Sequence, residues 1–403
     1  VTDHPFPAGF LFGASTAAHQ IEGGNVNSNW WAYEHAAGTH VAAPSGDAAD
    51  SFHRWPDDLD LVASLGFNAY RFSIEWARIE PEPGEFSRAA LAHYRRMIDG
   101  CLARGVEPIV TLHHFTDPRW FARAGGWRAD DAADRFAAYV RRAATILDGV
   151  TWVCTINEPN ILTVQGRLFA AGDADAAAEA ERDVPTAPLP APHRATERGV
   201  IAGHHAARAV LREERPGVQV GWTIASQVVS ALPGGEAAAD AFRDQIEDVY
   251  LRESVDDDWV GVQSYTRNRF GPDGFVRDDP VETHTLTGWE YWPDAVGDAV
   301  RHTADVLPHV PILITENGIA TAEDDRRIAY TDGALRALRA AMDDGVDVRG
   351  YLHWSLLDNY EWGSFEPTFG LIAWNPETFD RTPKPSATWL GQIASAIPPA
   401  APA

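Results

Sequence analysis

The chain has 403 residues, 45% of them hydrophobic, and a formal net charge of −25 with a pI near 4.9. That acidity excludes nucleic acid and anionic membrane surfaces as partners, because their phosphates would be repelled. No apolar run reaches the about 18 residues of a transmembrane helix, and the opening VTDHPFPAGF has neither a basic nor an apolar signal region, so the expectation is a cytoplasmic enzyme. In chain order, short apolar runs rich in β-formers alternate with helical patterns. FLFGAS (10–15) is followed by FHRWPDDLDLVASLG (52–66), NAYRFSI (68–74), RAALAHYRRMIDGCLARG (88–105) and EPIVTLHH (107–114). Then come DDAADRFAAYVRRAATILDG (130–149), TWVCTIN (151–157), ATERGVIAGHHAARAVLREERPG (195–217) and VQVGWTIAS (218–226). The remaining strand candidates are WVGVQSY (259–265), PILITEN (311–317) and VRGYLHW (348–354).

Eight apolar strands with helices between them suit a parallel sheet buried on both faces. The pattern predicts an α/β fold, a single-domain (β/α)8 TIM barrel over residues 1–403. The Ala-, Asp- and Pro-rich stretch 170–195 reads as a long, flexible loop over the mouth, and the tail IPPAAPA as frayed. Cys101 and Cys154 imply no disulfide framework, and Cys154 reads as a small core residue. Lys384 is the only lysine, a bias that base composition or adaptation to salt would equally produce.

Two stretches place a glutamate at a strand end. TINEPN (155–160) ends the fourth candidate strand with Glu158, and ITENGIA (314–320) ends the seventh with Glu316. In a (β/α)8 barrel both would face one mouth. Two carboxylates across a sugar are what glycosidic cleavage requires: an acid for the leaving oxygen, and a nucleophile or a base for water. The 15 Trp supply flat apolar faces on which sugar rings stack. The His pairs at 113–114 and 204–205 lack an HExxH pattern or a cysteine partner, so neither a metal nor a cofactor is expected.

These motifs resemble glycoside hydrolase family 1, the β-glucosidase and β-glycosidase family. The resemblance runs from FLFGASTAAHQIEG to RTPKPSATWL. It implies Glu158 as acid/base and Glu316 as nucleophile, with Arg71 of YRFSIEW and Tyr265 of GVQSYTRN supporting the nucleophile and Asn157 holding the sugar 2-hydroxyl. It further implies Gln20, His114, Trp354, Glu361 and Trp362 as glycon-binding residues, and Phe365 as lining the mouth. Taken alone, Gln20 or His114 reads equally as a satisfied core group, Trp354 as core, and Glu361 as a helix-start carboxylate.

The chain departs from the family pattern in places. Gln263 stands where Asn is usual, Phe115 replaces a Trp, EWGSFEPTFG is short, and loops that shape the aglycon side are trimmed. Glu361 and Glu158 set aside the phospho-glycosidase and thioglucosidase branches. The function this implies is retaining hydrolysis of small-molecule terminal β-D-glycosides, glucosides first. The alternatives are a galactoside or fucoside preference, transfer of the sugar to an alcohol or natural-product acceptor, and a non-catalytic sugar-binding barrel.

Overall fold

The computed structural model describes residues 6–169, 181–184, 187–276 and 284–400. Eight parallel strands close into a barrel: β1 (Leu11–Ser15), β2 (Ala69–Ser73), β3 (Glu107–Thr111), β4 (Trp152–Asn157), β5 (Gln219–Ala225), β6 (Val260–Gln263), β7 (Ile312–Asn317) and β8 (Val348–Trp354). Each strand pairs with its neighbours in sequence, and β8 closes on β1 with Ser15 beside Trp354. This is the (β/α)8 architecture expected from the alternation of strands and helices.

Side chains alternate about each strand. One set fills the barrel: Ala69, Ile109, Cys154, Trp259, Leu313 and Leu352 are all buried there. The other set, including Phe12, Val110, Val153, Val220, Val262 and Ile314, packs outward against the surrounding helices. Those helices include Ser51–Ser64, Arg88–Ala103, Ala132–Ala144, Arg194–Glu214, Ala295–Val306, Asp324–Asp343 and Pro385–Ser395. Each presents an apolar stripe to the barrel, as Tyr330, Ala334, Leu335 and Leu338 do for Asp324–Asp343. Burying one such Leu contributes about 1.5–3 kcal/mol. Local chemistry fixes the ends. Ser87 accepts from Ala90 N at the start of Arg88–Ala103, and Gly105 takes φ +69° just past its end. Between β5 and β6, helices Glu236–Arg243 and Val249–Glu253 are joined by a π turn, Asp244–Asp248.

Several strands end before their apolar runs do. β3 stops at Thr111, β5 at Ala225 and β6 at Gln263, so His113, His114 and Tyr265 stand in loops beyond the last ladder bonds. Small sheets decorate the mouth: Val229–Ala231 with Asn268–Gly271 and Gly274–Val276, and the pair Ile372–Trp374 with Arg381–Pro383. The 170–195 stretch lies in part outside the described residues, at 170–180 and 185–186. Of the remainder, Asp183 is held by Arg167 Nη2 (2.9 Å) and Ala191 N (2.8 Å), and from Arg194 the chain is helical. No described helix is long and apolar enough to cross a membrane.

Candidate active site

Both glutamates stand at the ends of their strands, just past ladder irregularities. The β4–β5 register shifts between Cys154 and Asn157, and the β7–β6 register shifts between Ile314 and Glu316. A bulge re-aims the side chains that follow it, here at the C-terminal rim. Glu158 itself adopts φ +43°, as Phe115 (+65°) and Trp362 (+48°) do in neighbouring loops. Left-handed backbone at three non-glycine residues is strain that the surrounding packing must hold, and it gathers around this rim.

Arg71, fully buried on β2, organises the floor. A buried guanidinium needs every donor engaged. Its Nη1 donates to Glu316 Oε1 (2.6 Å), Nη2 to Asn157 Oδ1 (2.5 Å) and Nε to Thr111 Oγ1 (3.0 Å). Tyr265 donates its hydroxyl to Glu316 Oε2 (2.5 Å), and Tyr330 donates to the Tyr265 carbonyl (2.6 Å). Each oxygen of Glu316 thus has its own donor. Asn157 Oδ1 also accepts from Gln263 Nε2 (2.9 Å) and Thr223 Oγ1 (3.1 Å). Three donors on the carbonyl fix the amide and turn Nδ2 toward His114 Nε2, 3.4 Å away.

Burial pushes both carboxyls up. Glu158 rises further, because Glu316's charge and then Glu361's add to burial while Arg71 opposes. Arg71 and the Tyr265 hydroxyl pull Glu316 back toward ionisation. The pair therefore divides into a carboxyl that keeps its proton and a carboxylate that gives it up more readily.

The remaining expected residues ring this pair. Trp354 Nε1 donates to Glu361 Oε1 (2.9 Å), and burial pushes Glu361 up to about 8 with Glu316's charge adding to it. Gln20 Nε2 donates to Asn359 Oδ1 (3.1 Å) and the Tyr360 carbonyl (2.9 Å). His114 lies parallel to Trp354 and Trp362, with ring centroids 5.9 and 6.1 Å apart, and burial, then Arg71, keeps it neutral. Gln20 Oε1 and His114 Nδ1 are buried without a partner. Orphaned polar atoms in an aromatic pocket suit the hydroxyls of a sugar. Phe365 packs instead against Tyr360 (5.2 Å) and Trp374 (6.0 Å). Phe369 is the phenylalanine that clusters with Trp354 and meets Tyr265 at 5.8 Å.

The other histidines have structural partners. His113 Nε2 lies 2.9 Å from Asp117 Oδ1, and His204 contacts Thr155 and Asp257 and stacks on Trp222. Sequence reading missed Thr111, Thr223, Asn359 and Phe369. Thr111, Asn359 and Phe369 stand in stretches read for His114, for Glu361 and for Phe365, and Thr223 lies on the strand next to Asn157. Gln263 was read only as a departure, yet it anchors Asn157.

Comparison with known proteins gives one consistent result. The model of Glycosyl hydrolase family 1 matches residues 2–268 and 248–397. Thermostable β-glucosidase B of Thermobispora bispora is 32% identical over 97% of this chain and 91% of its own length. The bifunctional β-D-glucosidase/β-D-fucosidase of Bifidobacterium breve is also 32% identical, over 95% of this chain and 97% of its own. Among solved structures, that of β-glycosidase BGL167 superposes with a TM-score of 0.89 at 41% identity, covering 99% of each chain.

Proposed function

The chain belongs to glycosyl hydrolase family 1, and from that premise we propose that Glu316 and Glu158 cleave terminal β-D-glycosides by double displacement with retention. The chain is an O-glycoside hydrolase of the β-glucosidase type. Glu316 attacks the anomeric carbon as Glu158 passes its proton to the leaving oxygen, forming a glycosyl ester and a free alcohol. The negative charge that raised Glu158 is then gone. Glu158 takes a proton from water, the water oxygen attacks the anomeric carbon, and the ester bond breaks to return Glu316 as carboxylate. Asn157, its amide fixed by three donors, holds the 2-hydroxyl through Nδ2. Gln20, His114 and Glu361 read the outer hydroxyls over the face of Trp354.

The observation that carries this reading is the asymmetry between the glutamates. Glu316 is clamped by a buried guanidinium and a phenol at 2.6 and 2.5 Å, while Glu158 sits on strained backbone at the rim. A panel of p-nitrophenyl β-D-glucoside, galactoside and fucoside tests it. The expected result is turnover led by the glucoside, with the fucoside second in view of the bifunctional relative, and loss by several orders of magnitude in Glu316→Gln. Turnover that survives in Glu316→Gln would remove the assignment.

A further inference from the structure

Beside the carboxylate pair, and sharing none of its sugar-reading residues, lies a cavity of about 480 Å³. Its walls are mostly apolar and aromatic, with Tyr33, Phe115, Trp127 and Leu162 among them. Two relations tie it to the catalytic mouth. The Phe115 ring lines the cavity and also meets His114 (5.2 Å) and Trp362 (5.1 Å). Leu162 and Gln165, one turn apart, come from helix Pro159–Phe169, which begins directly after Glu158.

The charge at this cavity runs against the rest of the chain. The molecule carries −25 overall, and most of its arginines stand against a carboxylate, as Arg104 does with Asp60 (2.7 Å), Arg301 with Asp344 (2.7 Å) and Arg381 with Asp58 (2.8 Å). Arg119 and Arg123 line the cavity four residues apart on one short helix, Arg119–Arg123, so they share a face. Neither has an acidic partner among the described residues. The only acid in the lining, Asp117, is already engaged. Its Oδ1 meets His113 Nε2 (2.9 Å) and accepts from Trp127 Nε1 (3.1 Å), and its Oδ2 accepts from Asn29 Nδ2 (3.2 Å). Like charges at this spacing are mildly destabilising, and an anion placed between them would relieve that.

We propose that this cavity binds a small aromatic carboxylate, its ring between the aromatic walls and its anion on Arg119 and Arg123. A mostly apolar cleft with a few charged groups at one end is how pockets of this size orient an amphipathic ligand. Guanidinium donors to a carboxylate are the strong, charge-assisted kind. Such a carboxylate has two sources: the acidic aglycon of a glycoside substrate, or a free acid arriving independently of substrate. The first rests on the glycosidase reading above, and the binding site itself does not.

Calorimetric titration with naphthalene-2-carboxylate and its neutral isostere naphthalene-2-carboxamide tests the site. The expected result is a carboxylate preference of about tenfold or more at low ionic strength, the size of a charge-assisted bond. That preference collapses in the double variant Arg119→Gln/Arg123→Gln, while its turnover of p-nitrophenyl β-D-glucoside stays at the wild-type value. Equal binding of acid and amide, binding of neither, or a preference that survives in the double variant would each overturn the proposal. A second arm separates the sources. If the wild type prefers 4-carboxyphenyl over 4-carbamoylphenyl β-D-glucoside in kcat/KM and the double variant does not, the acid is the aglycon. If both proteins treat these glucosides alike while the naphthoate still binds, it is a free ligand. Should the chain turn over no glycoside, the titration still decides the site.

Discussion

Asn157 is the residue through which the proposed 2-hydroxyl contact, the Arg71 that clamps Glu316 and the neighbouring strands meet. Its Oδ1 takes donors from Arg71, Thr223 and Gln263, one from each of three strands. Gln263 reaches it because the side chain is one methylene longer than the usual Asn. It also donates to Thr223 (3.2 Å), which fastens the same corner. On the proposed function Gln263 is therefore a positioning residue for the 2-hydroxyl contact. Gln263→Leu should lower kcat/KM for p-nitrophenyl β-D-glucoside about tenfold, roughly one hydrogen bond made in the transition state. The same change should cost little for the 2-deoxyglucoside, which lacks the hydroxyl that Asn157 holds. Equal losses on the two substrates would mean that Gln263 acts on the barrel as a whole.

The two glutamates also predict a pH profile. In the proposed mechanism activity requires Glu316 ionised and Glu158 protonated. Burial raises both, and Glu316's charge raises Glu158 further, so kcat/KM rises as Glu316 loses its proton and falls as Glu158 does. The alkaline limb should lie well above the ordinary glutamate range near 4.3. In Glu158→Gln that limb should vanish and turnover should drop by about 10²–10⁴ on a poor leaving group. For p-nitrophenolate, which needs little protonation, formation of the glycosyl ester should suffer far less. An alkaline limb near pH 4–5 in the wild type would contradict the division of roles.

Among the secondary-structure elements, the strands were legible in the sequence and their endings were not. Apolar runs mark what is buried, and they continued through the buried His113 and His114 and the half-buried Tyr265, which pack in loops rather than in a ladder: His113 on Trp127 and Phe136, His114 on Trp354 and Trp362, Tyr265 on Phe369. Nor does periodicity reveal the irregularities before Glu158 and Glu316, which depend on the neighbouring strands' register. The support beneath the loops was equally hidden. Glu75, just past β2, accepts from Thr116 Oγ1 (2.8 Å) and Ala77 N (3.1 Å), and so holds the loop that carries His114 and Phe115.

Burial pushes Glu75 up to about 7 despite those two bonds. The sign follows directly. A carboxyl raised in the folded state keeps its proton where the unfolded chain has lost it, so stability falls as pH climbs from about 4.5 toward 7 and levels off above. A shift of this size corresponds to at most about 3 kcal/mol. Thermal unfolding of the wild type and of Glu75→Gln at pH 5 and pH 8 measures it. The wild type should lose Tm relative to the variant between the two values, because Gln does not titrate. A gap independent of pH would show that Glu75 ionises in the fold with no penalty.

For the molecule as a whole, length, strand count and two short motifs were enough for the architecture and the carboxylate pair, because those follow from burial and from chemistry that only certain side chains perform. What composition left undecided was the meaning of the charge. The structure supplies a physical handle: opposite charges touch, while the surplus of acids repels at long range. Contacts such as Arg104–Asp60 and Arg301–Asp344 span 2.7 Å, far inside the Debye length of about 8 Å at physiological ionic strength, and each exposed pair is worth only about 0–1 kcal/mol. The uncompensated −25 acts over tens of ångströms and opposes the compact state. Salt therefore removes more repulsion than attraction. Raising NaCl from about 0.01 to 0.5 M, where the Debye length falls from about 30 Å to under 8 Å, should raise Tm, with most of the gain at the low end. KCl should match NaCl at equal ionic strength, because the effect is screening. A Tm that falls with salt would mean that the contact pairs outweigh the surplus charge, and the acidity would then owe nothing to a saline setting.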